Sequence, residues 1–298
     1  MTVARDEVKE EEVAVVPGEM SAKLKEQLKR LTEKAEPVYN DFGDIGDISL
    51  LHQADLTILA DMVQTQKLDY TKIRVLTISN VVVEDLYLDS VVKLVSTVPS
   101  IIIKSMEAEE THWEAMEEGL QESRTVRLVR LVACPAPTLV HAFPALAMVP
   151  RLDLAKLDMP ASTWHMLRTV LEAEDSKVEE LLLTDITVTE DNMEDIAGCL
   201  ARVARVQLTS VELGRGPRFW ELLGQQETRA TWMKLSLMTV YEDQIKHMAA
   251  FLVRVEEVNT IKAVKLKMSN VSKPECPSQR PKILLFPLLS WKCPGSCT

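Results

Sequence analysis

A short apolar signature recurs nine times along this chain. It reads apolar, two variable, apolar, one variable, apolar, as in Val126, Val129, Leu131 and in Val149, Leu152, Leu154. The middle members are Ile48, Leu76, Ile101, Val129, Leu152, Leu181, Val206, Leu235 and Leu266, separated by 28, 25, 28, 23, 29, 25, 29 and 31 residues. The first and last triplets are Ile45, Ile48, Leu50 and Ala263, Leu266, Met268. Side chains alternate across a strand, so the last two members of a triplet lie on one face of a short strand. Between triplets the apolar spacing becomes helical, as in Leu88, Val91, Val92, Val95 and in Met193, Ile196, Ala197, Leu200. One strand and one amphipathic helix per unit cannot bury their apolar faces alone, so the units must stack on one another.

The expected fold is therefore α/β: a curved solenoid of about nine units over residues 41–271. Its parallel sheet lines the concave face and its helices the convex face. Ser162 and Thr189 mark expected helix starts. Residues 1–40 read as an acidic tail, with Glu7, Glu10, Glu11 and Glu12, followed by a capping helix over 21–35 that carries Leu24, Leu28 and Leu31. Residues 272–298 hold Pro274, Pro277, Pro281, Pro287 and Pro294. They are compatible with an irregular cap and equally with a Pro-rich tail.

Segments 152–159 (LDLAKLDM), 181–188 (LLLTDITV) and 206–213 (VQLTSVEL) resemble leucine-rich repeats. The long helical halves are similar to the ribonuclease-inhibitor subtype found in nucleotide-binding leucine-rich-repeat receptors, in the Ran GTPase-activating protein and in tropomodulin. The chain departs from that family in one respect. Three residues after the last strand leucine the family places Asn or Cys, which bonds the turn backbone; here stand Gln53, Val81, Met106, Cys134, Leu157, Ile186, Val211, Val240 and Val271. Seven of these cannot form a side-chain ladder, so the turn backbone needs other partners.

A doubly wound nucleotide-binding sheet would alternate strands and helices too. The chain has nine glycines and neither GxGxxG nor GxxxxGK[ST]. Five scattered cysteines include no CxxC pair, and Cys293 and Cys297 lack two further ligands for zinc. His52, His112, His141, His165 and His247 form no HxxxH or HExxH pair, and no serine sits in GxSxG. No catalytic residue, cofactor or metal is expected. Trp113, Trp164, Trp220 and Trp232 read as core.

With a net charge of -11, the chain as a whole repels nucleic acid and anionic membranes. No apolar run of about 20 residues is present, and the sequence opens without a secretory-type apolar core, so a cytoplasmic location is expected. Positions flanking the strand leucines nonetheless carry Arg127, Arg130, Arg151, Lys156, Arg205, Lys234, Lys265 and Lys267 against Asp153, Glu179, Glu180 and Asp185. Glu107, Glu109, Glu110, Glu114, Glu117, Glu118 and Glu122 crowd one helical segment instead. The expected function is non-catalytic protein recognition, with a basic concave stripe receiving an acidic protein surface. The resemblance also implies the recognition portion of an innate-immune receptor. Its alternatives are a GTPase-activating protein and an actin-associated capping scaffold.

Overall fold

A computed structural model describes residues 19–33, 44–214, 216–262 and 265–267; of Glu33, 259–262 and 265–267 it describes the backbone alone. The readings for the acidic tail and for the Pro-rich C-terminal region lie outside the described residues.

The elements alternate in chain order. The helix α1 (Ala22–Glu33) precedes β1 (Asp47–Leu50), α2 (Gln53–Gln64), β2 (Val75–Ile78), β3 (Val81–Val82), α3 (Asp85–Thr97), β4 (Ser100–Ile103), β5 (Met106–Glu107) and α4 (Glu110–Glu122). The middle of the chain forms β6 (Leu128–Val132), α5 (Ala136–Leu146), β7 (Arg151–Ala155), α6 (Ala161–Glu172), β8 (Glu180–Thr184), β9 (Thr187–Val188) and α7 (Met193–Arg202). There follow β10 (Arg205–Thr209), β11 (Glu212–Leu213), α8 (Arg218–Gln225), β12 (Trp232–Ser236), β13 (Thr239–Tyr241), α9 (Glu242–Leu252), β14 (Glu257–Lys262) and β15 (Lys265–Lys267).

Nine of these strands form one parallel sheet in the order β1-β2-β4-β6-β7-β8-β10-β12-β14. The order is the chain order, so each unit adds its strand beside the previous one. Parallel connections are right-handed, which puts α2 to α9 on one face, and each of these helices contacts the next. The triplet residues fill the space between helices and sheet: Ile48, Leu76, Ile101, Val129, Leu152, Leu181 and Val206 are cross-strand partners in one continuous row, each at most 1% exposed. Burying a side chain of this kind contributes about 1.5–3 kcal/mol.

The last two triplets are corrected by two residues and by a whole strand. Val206 pairs with Met233, not with Leu235, and Met233 pairs with Val258. The core triplet of β12 is therefore Ala230, Met233, Leu235, all buried, while Leu237 is 60% exposed. The spacings become 27 and 25 residues, close to those of the other units. Leu266 lies in β15, which pairs with β13 outside the main sheet.

A backbone feature fixes this register independently. Asn80, Ala133, Lys156, Asp185, Ser210 and Leu237 all adopt φ of 52–54°, and each stands two residues after the last core residue of its strand. Left-handed φ at Ala133 or Leu237 is uncommon for such residues, so its recurrence marks a turn that every one of these units must make.

The turn also answers the missing asparagine ladder. Residues 81, 106, 134, 157, 186, 211 and, in the corrected register, Met238 are buried apolar groups. Turn N–H groups donate to the neighbouring unit instead: Ala133 to the Ala155 carbonyl (3.0 Å), Lys156 to Thr184 (2.9 Å), Asp185 to Thr209 (3.0 Å) and Ser210 to Ser236 (3.0 Å). Two of the ladder positions do bond backbone of an adjacent unit: Cys134 Sγ donates to the Ile103 carbonyl at 3.3 Å, and Gln53 holds Val82, its Nε2 donating to the carbonyl at 3.0 Å and its Oε1 accepting the N–H at 2.9 Å. The helix starts differ slightly from expectation. Ser162 falls inside the first turn of α6, and α7 begins after Asn192, whose Oδ1 accepts the Thr189 N–H at 2.8 Å.

The free edge of β1 is covered by α1. Leu24, Leu28 and Leu31 are buried. The Gln27 side chain reads the strand edge, its Oε1 accepting the Ser49 N–H at 2.8 Å and its Nε2 donating to Ser49 Oγ at 3.3 Å. An edge strand otherwise offers unpaired backbone groups to other chains.

Candidate functional site on the open sheet face

The face of the main sheet turned away from the helices carries the residues between the core positions. Parallel pairing sets them in rows. One row runs Arg151, Glu180, Arg205, Trp232 across β7, β8, β10 and β12. Its members touch in sequence: Arg151 Nε lies 3.4 Å from Glu180 Oε2, Arg205 Nε lies 3.8 Å from that same oxygen, and the Arg205 guanidinium sits 4.4 Å above the Trp232 ring. A cation over an indole face is attracted by the ring quadrupole.

The next row runs Arg130, Asp153, Leu182, Gln207, Lys234 across β6, β7, β8, β10 and β12. Asp153 is 7% exposed and Leu182 only 4%, although both point away from the helices. The longer side chains around them stand up as walls, and these two form a floor. Arg130 Nε approaches Asp153 Oδ2 at 3.3 Å without hydrogen-bond geometry, and Asp153 Oδ1 has no hydrogen-bond partner among the described residues.

Burial pushes the Asp153 carboxyl up, and the guanidiniums of Arg130 and Arg151 only partly pull it back; the net direction is upward. A carboxyl whose folded pKa is raised binds more protons folded than unfolded, so it stabilises the fold increasingly as pH falls through the folded value. Removing its charge should therefore not harm the fold at neutral pH. Asp153→Asn is expected to melt no lower than the wild type at pH 7, and the difference between the two should shift in the wild type's favour as pH falls toward about 4, the ordinary carboxylate range. Thermal melts at several pH values check this; a large loss of stability in the variant at pH 7 would show the ion contacts dominate.

Of the eight basic positions marked in the sequence, Arg130, Arg151, Arg205 and Lys234 share the open face. Arg127 precedes β6 and is exposed at the strand-start edge, and Lys156 occupies the left-handed turn after β7. Lys265 and Lys267 are corrected: both belong to β15, in the separate β13–β15 ladder. The stripe is also less purely basic than its residue types imply, because Asp153 and Glu180 interleave with three of its arginines.

Trp232 is the member of this face that sequence reading misses. The two-residue slip put it among the core positions, whereas it is half-buried at the start of β12 on the open face. Trp and Arg together are the residue types enriched where binding energy concentrates.

Burial pushes the Cys134 thiol up to about 11 and that of fully buried Cys199 further still, which disfavours the thiolate form of both near neutral pH. Three of the histidines lie between helices: His112 Nε2 is 2.8 Å from Asp85, His165 Nδ1 3.1 Å from Asp195, and His247 Nδ1 3.3 Å from Glu221, each pair joining adjacent helices. Among the described residues no group of three His, Cys, Asp or Glu side chains is arranged to hold a metal ion, and no helix is long and apolar enough to cross a membrane.

No family model and no curated protein matches this chain.

Proposed function

We propose that this chain is a solenoid of the leucine-rich-repeat type that recognises another protein on the open face of its sheet, without catalysis. Three features support the solenoid reading: units of 23–29 residues added in chain order, the same left-handed turn in six units, and near-complete burial of Leu182 and Asp153 on the face without helices. Helices are wider than the spacing of strands, so a sheet backed on one side by helices bends toward its bare face. Side chains on that face then crowd together, as Leu182 does.

The observation that carries the recognition reading is the contiguous row Arg151, Glu180, Arg205, Trp232. Its groups are held in place before any partner arrives, which lowers the ordering cost of binding. With Glu257, which continues the row beside Trp232 on β14, this part of the face carries four cations (Arg130, Arg151, Arg205, Lys234) against three carboxylates (Asp153, Glu180, Glu257), so it prefers a partner surface with acidic groups around an apolar contact for Trp232. The cellular setting consistent with this is the cytoplasm.

The test is charge reversal. Arg130→Glu, Arg151→Glu and Arg205→Glu together are expected to reduce recovery of a specifically captured partner by about tenfold or more, since truncating or reversing a paired interfacial charge costs about 2–5 kcal/mol. Undiminished recovery by a variant with unchanged circular dichroism would overturn the reading.

A further inference from the structure

A second surface lies at the strand-start edge, below the open face. There a groove of about 510 Å³ runs under the starts of β6, β7, β8, β10 and β12, and it is lined by Arg124, Arg127, Lys177, Glu179, Arg202 and Arg229 among others. Five cations face one carboxylate, in a chain whose net charge is -11.

Two of the cations have structural duties. Lys177 Nζ donates to the Gln121 carbonyl near the end of α4 at 2.5 Å, and Arg202 holds Glu172 at 3.0 Å. Cations near helix C-termini are favourable in themselves. Arg124, Arg127 and Arg229 are different. All three are exposed, and none has a carboxylate within ion-pair distance among the described residues.

The shape of the groove restricts what would occupy it. Five adjacent strands at about 4.8 Å spacing span about 19 Å, the length of about six residues of extended chain. The unpaired guanidiniums stand at its two ends: Arg124 and Arg127 beside β6, Arg229 beside β12. Guanidiniums spread along such a length suit a line of separate carboxylates better than one compact phosphate. Among the groove's lining residues there is no aromatic side chain on which a base could stack.

We propose that this groove binds an extended acidic peptide segment, with carboxylates at the segment's two ends meeting Arg124, Arg127 and Arg229 in bidentate fashion. The proposal goes beyond the open-face reading, since it uses a different surface and different residues.

The probe is fluorescein-labelled hexaglutamate, with binding to the full chain read by fluorescence anisotropy at low salt. Hexaglutamine, inorganic phosphate and hexathymidylate serve as competitors. Hexaglutamate is expected to bind saturably, with affinity falling by about tenfold or more in Arg124→Glu/Arg127→Glu/Arg229→Glu. The lysine replacements Arg124→Lys/Arg127→Lys/Arg229→Lys keep the charge and should retain binding within about threefold to tenfold, the loss reflecting the missing fork geometry. Trp232→Ala should leave hexaglutamate binding unchanged while weakening partner capture by the sheet face, which separates failure of this proposal from failure of the other. The proposal is overturned by absence of saturable binding up to millimolar peptide, by equal binding in the Glu variant, or by stronger competition from phosphate or hexathymidylate.

Discussion

Met233→Ala is expected to lower the unfolding free energy by about 2–5 kcal/mol, while Leu237→Ala changes it by less than about 0.5 kcal/mol. Met233 is fully buried between Val206 and Val258 of the neighbouring strands. Removing its side chain leaves a void that the surrounding strands and helices cannot close without shifting the whole stack. Leu237 is 60% exposed in the left-handed turn, so truncation there removes little contact. The pair is discriminating because the sequence pattern alone assigns the opposite roles. Urea denaturation followed by tryptophan fluorescence measures both; equal losses would mean the β12 register is wrong.

A comparably large effect is expected at Asp55. This residue is fully buried, and its carboxylate ties two backbone segments together. Oδ1 accepts the Ser21 N–H at 2.8 Å, just ahead of α1, and Oδ2 accepts the Leu51 N–H at 2.9 Å, just after β1. His52 Nε2 lies 3.6 Å from Oδ2. Hydrogen bonds to a charged group contribute about 1.5–3 kcal/mol each, and a buried N–H left unpaired adds its own desolvation cost. Asp55→Ala is therefore expected to cost about 3 kcal/mol or more, and Asp55→Asn about half as much because one acceptor oxygen remains. The loss should concentrate at the β1 edge: hydrogen exchange at Ser49, whose N–H is held by Gln27, should accelerate more than exchange at Leu183 in β8. Uniform acceleration along the sheet would contradict the capping role of α1.

Much of the fold was legible because the apolar spacing is set directly by burial. Seven triplets, from Ile48 to Val206, appear in the sheet in the register that their spacing implies. The slip begins where the pattern has two solutions. Trp232, Leu235, Leu237 and Ala230, Met233, Leu235 both satisfy it, share Leu235, and differ by an even number of residues, so alternation cannot separate them. What separates them is the left-handed turn at Leu237, a backbone property that leucine does not advertise. A Gly or Asn there would have. The ninth strand was displaced for a related reason: the β12–β14 pairing carries a register shift between Met233 and Leu235, so Val258 and Ile261 depart from the triplet spacing.

The site was legible by residue type and not by pairing. Periodicity puts Arg130, Arg151, Arg205 and Lys234 on one face because they alternate with core residues, and the parallel register sets them side by side. It could not show that Glu180 would sit between Arg151 and Arg205, nor that Asp153 would be sunk among arginines. Those contacts are set by which residues the parallel register brings side by side, across 23–29 residues of intervening chain. The cap formed by Gln27 and Asp55 was hidden for the same reason. Trp232 was lost with the register, and with it the aromatic member of the arginine row.

The claim that the open sheet face receives a protein partner is tested most directly by site-specific photocrosslinking. Benzoylphenylalanine is placed either at Gln207, in the middle of that face on β10, or at Glu118, exposed on α4. Irradiation in extract of cells that express the chain is predicted to give a discrete higher-mass adduct from position 207 that is absent when Trp232→Ala is added, and no such adduct from position 118. An adduct from position 118 alone, or one from position 207 that persists undiminished with Trp232→Ala, would contradict it.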